Sequence, residues 1–282
     1  MSRPPSGAGG GRRVDLHAHT VFSDGLLSPE ELVARAWARG LAAIAITDHD
    51  SVEALPRAWA SAGSRVEVVA GIEISSALDG LDLHILGYYL DPDHRPLREH
   101  LGCFQADRRE RAHLILHRLA ELGIALEEGE VLATAGPGVV GRPHVAAALV
   151  AAGHAKDFED AFKRYLGVHG AAYVPRTRFQ PEEAIALIHA ANGISVLAHP
   201  GPALSDRVIE RLVEAGLRGV EVWHPMHGPA MVRRYRALAQ RHGLLETGGS
   251  DFHGHPHGVD LGDIDVPIAV LDRLKRFAGV AS

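Results

Sequence analysis

Short apolar runs alternate with amphipathic stretches from Val14 onward. That rhythm confines the fold to repeated βα units, because a brief continuous apolar run suits a buried strand and helical periodicity suits an element packed on its face. Strands are predicted at 14–16, 41–46, 66–70 and 83–90, then at 194–198, 219–223 and 244–247. Helices fall between them at 51–62, 181–191, 205–215 and 229–241, with a last one at 267–277. An earlier helix is announced by Ser28-Pro29-Glu30-Glu31, where Ser28 caps, Pro29 suits the first turn and Glu31 completes a capping box; Gly40 stops it. Seven strands in this setting predict an α/β fold, a distorted TIM-like (β/α)7 barrel.

Residues 96–178 break the rhythm. They read as helical, with a long segment to Leu122, a Gly136-Pro137-Gly138 loop, a helix from Pro143 and another around 158–165. The expected layout is a disordered tail over 1–13, a barrel from 14–95 and 179–282, and a helical insertion over 96–178 acting as a substrate cap.

Composition narrows the function. At 282 residues, 46% hydrophobic and 23% charged, the chain can bury a sizeable core and is neither disordered nor fibrous. The single cysteine, Cys103, cannot form an internal disulfide, excludes thiolate-cluster zinc sites and is expected to be a buried small residue. No apolar run approaches the roughly 18 residues of a membrane span, and the Pro/Gly/Ser/Arg-rich start lacks a secretory apolar stretch, so a cytoplasmic location is expected. A net charge of −6, with only Lys156, Lys163 and Lys275 as lysines, argues against a long nucleic-acid footprint but leaves room for a short anionic substrate.

Barrel active sites form where strands end. His17-Ala18-His19 follows the first strand, with Asp24 in the next turn; Asp48-His49-Asp50 follows the second and Gly71-Ile72-Glu73 the third. The later strands lead into His199-Pro200, His224 and Gly249-Ser250-Asp251-Phe252-His253. Imidazole and carboxylate are the ligands of borderline and hard divalent metals. One His-X-His could be structural, but such groups at six strand ends point to a metal site.

The runs His17-Ala18-His19-Thr20, Ser23-Asp24-Gly25, Thr47-Asp48-His49-Asp50, Gly71-Ile72-Glu73, His84, Ala198-His199-Pro200 and Ser250-Asp251-Phe252-His253 resemble, in order and spacing along the whole barrel, the PHP (polymerase and histidinol phosphatase) family. The insertion and Gly141-Arg142-Pro143-His144 are similar to its stand-alone nucleotide phosphoesterases, which hydrolyse nucleoside 3′,5′-bisphosphates or trim short RNA from the 5′ end. The resemblance implies a barrel of PHP type with His17, His19, Asp24, His49, Glu73, His84, His199, Asp251 and His253 as metal ligands. Such a set would serve about three divalent ions, of manganese, iron or zinc. It further implies that Asp24, His49 and Asp251 are catalytic, and that a metal-activated water attacks a phosphomonoester of a small nucleotide or short oligonucleotide, without a serine or cysteine nucleophile.

Other residues carry two readings. Arg142 and His144 open a helix whose N-terminus could bind phosphate, or they lie on the surface. His224 and His227 could touch the substrate, assist the leaving group or support ligands; Arg176 and Arg178 suit a second phosphate or simply solvent. His84 lies inside an apolar run, so only the resemblance marks it. His255 and His257 follow the last ligand motif closely and either act in the site or, the favoured reading, lie on a mobile loop, and His113 and His117, though spaced i, i+4, are expected on a solvated helix face. No P-loop lysine follows Gly136 to Gly141.

Three rival functions differ in what they need. A binuclear amidohydrolase needs a carboxylated lysine at a strand end, where none of the three lysines falls. A histidinol-phosphate phosphatase differs in substrate alone. A non-catalytic metal-binding accessory module would carry degenerate ligands, whereas all nine positions here are competent.

Overall fold

The computed structural model describes residues 13–136, 138–175, 179–202, 204–255 and 258–280. Strand β1 (Arg13–Asp15) already includes Arg13, which the sequence places in the tail. Helix α1 (Pro29–Ala38) follows with its capping box complete: the Glu31 N–H donates to Ser28 Oγ at 3.3 Å and the Ser28 N–H to Glu31 Oε2 at 2.9 Å. Ser28→Ala removes the first of these bonds. It should lower stability by about 1 kcal/mol and the melting temperature by roughly 2–4 °C; an unchanged thermal melt would show that the cap contributes nothing.

Next come β2 (Ala43–Ile46), α2 (Leu55–Ala62), β3 (Glu67–Leu78) and β4 (Leu81–Tyr88). The intervening helical region contains α3 (Arg95–Glu121), α4 (Glu128–Thr134), α5 (Arg142–Ala151) and α6 (Phe158–Ala161), the last continued by a π-turn over Phe162–Leu166. The barrel then resumes with α7 (Pro181–Ala190), β5 (Ile194–Leu197), α8 (Asp206–Glu214) and β6 (Gly219–Trp223). It ends with α9 (Pro229–His242), β7 (Leu245–Gly248), β8 (Val266–Pro267) and α10 (Ile268–Ala278).

The described residues form one mixed sheet in the order β7-β6-β5-β4-β3-β2-β1-β8. Its ends nearly meet, because the Leu16 N–H donates to Gly248 O at 3.1 Å and Ala18 bridges Phe252 in parallel. This is the expected barrel-like α/β fold with an eighth strand: β8 has two residues, runs antiparallel to β1, and includes Pro267, whose position suggested a helix start.

Two departures from simple βα repetition shape the rim. β3 does not stop at Ala70; it pairs with β2 as far as Ala70 and from Gly71 with antiparallel β4, so Glu73 lies within the strand. Gly71 makes the switch possible, since a Cβ there would sit 2.6 Å from Ile46 O. β4 also runs antiparallel to β5, which reverses its direction relative to the parallel strands.

Leu32, Leu55, Ile188, Ile209 and Tyr235 pack the outer helices on the strands, and a second cluster joins Val14, Ala43, Val69 and Leu86 to Leu271 and Leu274 of α10. The helical region has its own core, including Ile115, Leu119, Val145, Leu149 and Leu166. Helix α3 spans both, since Leu97 and Leu101 belong to the barrel cluster. Cys103 is exposed, contrary to the sequence expectation, because the inward positions of this turn are taken by Leu97 and Leu101. Among the described residues no helix is long and apolar enough to cross a membrane.

Candidate metal centre

The close approach of the β7 end to β1 builds the centre. A Cβ on Gly249 would lie 2.4 Å from His17 N, so only glycine lets the chain pass there. The residues that follow deliver Asp251, whose Oδ1 lies 3.3 Å from His17 Nε2 and 3.2 Å from His19 Nε2. Asp251 adopts φ +51° and His199 φ +22°, backbone conformations disfavoured for non-glycine residues and held here by the surrounding structure.

Glu73 is the hub. Its Oε1 accepts from His84 Nδ1 at 2.8 Å and His199 Nε2 at 2.9 Å. Its Oε2 lies 3.0 Å from His49 Nδ1 and 3.3 Å from both His17 Nε2 and His19 Nε2. On the other side Asp24 Oδ1 lies 3.2 Å from His253 Nε2, and Asp24 Oδ2 3.8 Å from His49 Nε2. Three overlapping groups result, each with ligand atoms mutually within 4.8 Å: His19, Asp24, His49 and His253; His17, His19, Glu73 and Asp251; His49, Glu73 and His84.

The donor atoms fit cations better than they fit one another. His19 Nε2, Asp24 Oδ1 and His49 Nδ1 are buried and make no hydrogen bond, although each lies near an oppositely charged or polar partner in the cluster. Buried polar atoms are rarely left this way, and misaligned donors within reach of each other are what lone pairs aimed at a shared third partner produce. Burial alone would push the carboxyl of Glu73 up, but His49, His84 and His17 hold it well below its usual range. Asp24 is lowered against its burial by His253, His49 and His19, and Asp251 by His17, His19, His224 and His253. Burial, opposed by Glu73 and Asp24, keeps His49 well below the usual imidazole range. Against burial, the carboxylates in turn raise His17, His19, His199 and His253, so the centre holds anionic carboxylates whose negative charge attracts protons and would attract cations in their place.

Several residues that sequence reasoning passed over hold this arrangement. Glu221, fully buried on β6, accepts from His17 Nδ1 at 3.0 Å and from the His199 N–H at 2.8 Å. Asp48 accepts from the Thr20 N–H, Thr20 Oγ1 and Ser23 Oγ, all at 2.7 Å, fixing the turn that carries Asp24. Asp15 receives the Ser250 N–H at 2.9 Å and the Gly262 N–H at 2.8 Å. Arg108 of α3 donates to Asp50 Oδ2 and Ser75 Oγ, both at 2.8 Å, tying the helical region to the loop after His49. The available signal was a charged residue inside an apolar run, as in Gly219-Val220-Glu221-Val222-Trp223.

The remaining candidates disperse. His224 Nδ1 accepts from the Met226 N–H, leaving Nε2 to donate to Asp251 Oδ2 at 3.3 Å. His227 faces Val222 O and the Gly201 N–H with its two ring nitrogens, so it supports His224 from behind rather than reaching the cleft. His144 accepts from the Gly141 N–H at 3.0 Å and is buried at the start of α5. Arg142 pairs with Asp82 at 3.0 Å and lies over Phe162. His113 and His117 are exposed beside Glu128 and Glu121. Arg176, Arg178 and His257 lie outside the described residues.

A sequence model of the PHP domain matches residues 15–174. The 5′-3′ exoribonuclease Rnm of Salmonella typhimurium is 38% identical over 256 residues, covering 88% of this chain and 87% of the relative. The 3′,5′-nucleoside bisphosphate phosphatase of Chromobacterium violaceum is 36% identical over 252 residues, covering 87% of this chain and 88% of the relative. A solved structure from Bifidobacterium adolescentis, described as a metal-dependent phosphoesterase, matches 99% of both chains with a TM-score of 0.89 and 31% identity. With a domain match across more than half of the chain and relatives this similar along most of its length, the chain belongs to the PHP domain family.

Proposed function

We propose that this metal-dependent phosphoesterase hydrolyses phosphomonoesters of small nucleotides, such as a nucleoside 3′,5′-bisphosphate or monophosphate, or acts at the 5′ end of short RNA. The observation that carries this reading is the convergence of imidazoles and carboxylates with buried, unsatisfied donor atoms at the barrel mouth. The relatives named for RNA and nucleoside bisphosphates support the substrate class.

His17, His19, Asp24, His49, Glu73, His84, His199, Asp251 and His253 would hold about three divalent ions, and manganese, iron and zinc all suit these donors. Bound there, the ions would supply positive charge to the phosphoryl oxygens and lower the pKa of a water. Asp24, 3.8 Å from His49, and Asp251, which lines the cleft beside the cluster, are both held anionic and would orient the groups that exchange protons. His224 presents its Nε2 proton to Asp251 and is placed to pass it toward a leaving oxygen. Arg142 and His144 are proposed as substrate contacts, as is Arg176, which lies outside the described residues, and the insertion over 96–178 would cover the substrate and exclude water. Using Arg142 for phosphate requires it to exchange Asp82 for the substrate.

The test is a manganese-supplemented phosphate-release panel containing a nucleoside 3′,5′-bisphosphate, nucleoside monophosphates, a 5′-phosphorylated short RNA and histidinol phosphate. The nucleotides or the RNA should be preferred, and preference for histidinol phosphate would overturn the assignment.

A further inference from the structure

A cleft of about 270 Å³ opens beside the ligand cluster. Asp251, His253 and His224 line it on the side of the cluster, and Met226 and Val259 line it as well. These last two are 53% and 37% exposed. Leu26, also 53% exposed, joins the same loop through its N–H, which donates to His253 O at 2.8 Å. Single exposed apolar side chains are ordinary, but Met226 and Val259 lining one cleft beside a charged site mark a surface kept bare for a ligand.

An aromatic face stands in the same place. The His255 ring lies within 8° of parallel to His253, with centroids 6.2 Å apart, and His253 stacks on His19 at 4.2 Å and 16°. Phe158 of α6 lies 5.1 Å from His255. A file of nearly parallel imidazoles therefore leads from the centre out to the apolar wall.

We propose that this cleft receives the heteroaromatic base of the substrate, its π face against His255 and its edge against Met226 and Val259. The inference rests on the nucleotide reading given above and adds to it the group that is recognised. Thioether and imidazole surfaces accept flat rings with little regard to edge chemistry. Of the polar side chains lining this space, His224, Asp251 and His253 are engaged within the cluster and Ser250 is buried at 1% exposure, which leaves His255, offered to the ring by its face. The cleft therefore selects for the presence of a base rather than for which base.

The experiment compares adenosine 3′,5′-bisphosphate with 1-O-methylribose 3,5-bisphosphate, the same sugar without a base, on the manganese-loaded protein. The base-bearing compound should show a kcat/KM roughly tenfold higher, expressed mainly in KM. In Met226→Ser/Val259→Ser and in His255→Ala that ratio should fall toward one. A ratio already near one in the unaltered protein, or a variant that slows both compounds alike, would overturn the cleft assignment while leaving the nucleotide reading intact. Hydrolysis of neither compound would overturn the base site, and the nucleotide reading falls with it if nucleoside monophosphates and 5′-phosphorylated short RNA are untouched as well.

Discussion

Glu73→Gln is expected to lower phosphate release by roughly three orders of magnitude, equivalent to about 4 kcal/mol of transition-state stabilisation, and to strip metal from the purified protein. The size of the effect follows from position. Five imidazoles, those of His17, His19, His49, His84 and His199, approach this one carboxylate within 3.3 Å. Glutamine keeps the shape, so the β3–β4 pairing that surrounds it should survive, and an unchanged circular dichroism spectrum would establish that. What it lacks is the negative charge. Without it, cations held by the same imidazoles would repel one another with less compensation, and one carboxamide arm would present a donor where Glu73 offers only acceptors. Metal per chain, measured by plasma mass spectrometry after gel filtration, should fall together with turnover. Full turnover with undiminished metal would remove Glu73 from the centre.

How much of this was legible in the sequence depends on strand direction. β1, β2, β5, β6 and β7 share one direction around the barrel, although β1 and β5 each also have one antiparallel neighbour, and they deliver their C-terminal ends to one rim. Reading the residues after each apolar run therefore located His17, His19, His49, His199, Asp251 and His253. β4 runs the other way, so the part of it at the rim is mid-strand: His84 pairs in register with Ser75. A rule based on strand ends has no access to such a residue. Glu73 was found for a reason that needed correcting, since β3 continues past it and the barrel rim is set by where β2 stops. The two-residue β8 left no periodicity to detect, and Pro267 suits a helix start equally well. For Cys103, its small size suggested burial, but its place on α3 decided exposure.

Glu221 shows what alternation hides and what it makes testable. Its side chain lies inside an apolar run and is fully buried, yet it reaches two candidate metal ligands, His17 and His199, at once. A carboxylate only accepts, so His17 must carry a proton on Nδ1, and with an ion bound Nε2 would be the nitrogen free to offer it a lone pair. Glu221→Gln cannot reproduce this in either orientation. If the amide oxygen takes the His199 N–H, the amide nitrogen faces His17 Nδ1 and moves the proton to Nε2, removing the ligating lone pair. If the oxygen takes His17 Nδ1–H, the amide nitrogen opposes the His199 N–H, a buried donor against a donor costing roughly 1–3 kcal/mol. Either outcome should weaken metal affinity about 10–100-fold, as loss of a carboxylate behind a histidine ligand does, with the fold retained. Manganese titration by calorimetry reads that loss directly, and ¹⁵N-resolved spectra of the His17 ring report the tautomer independently of activity. Unaltered affinity with the His17 proton still on Nδ1 would show that the buried carboxylate does not orient the centre.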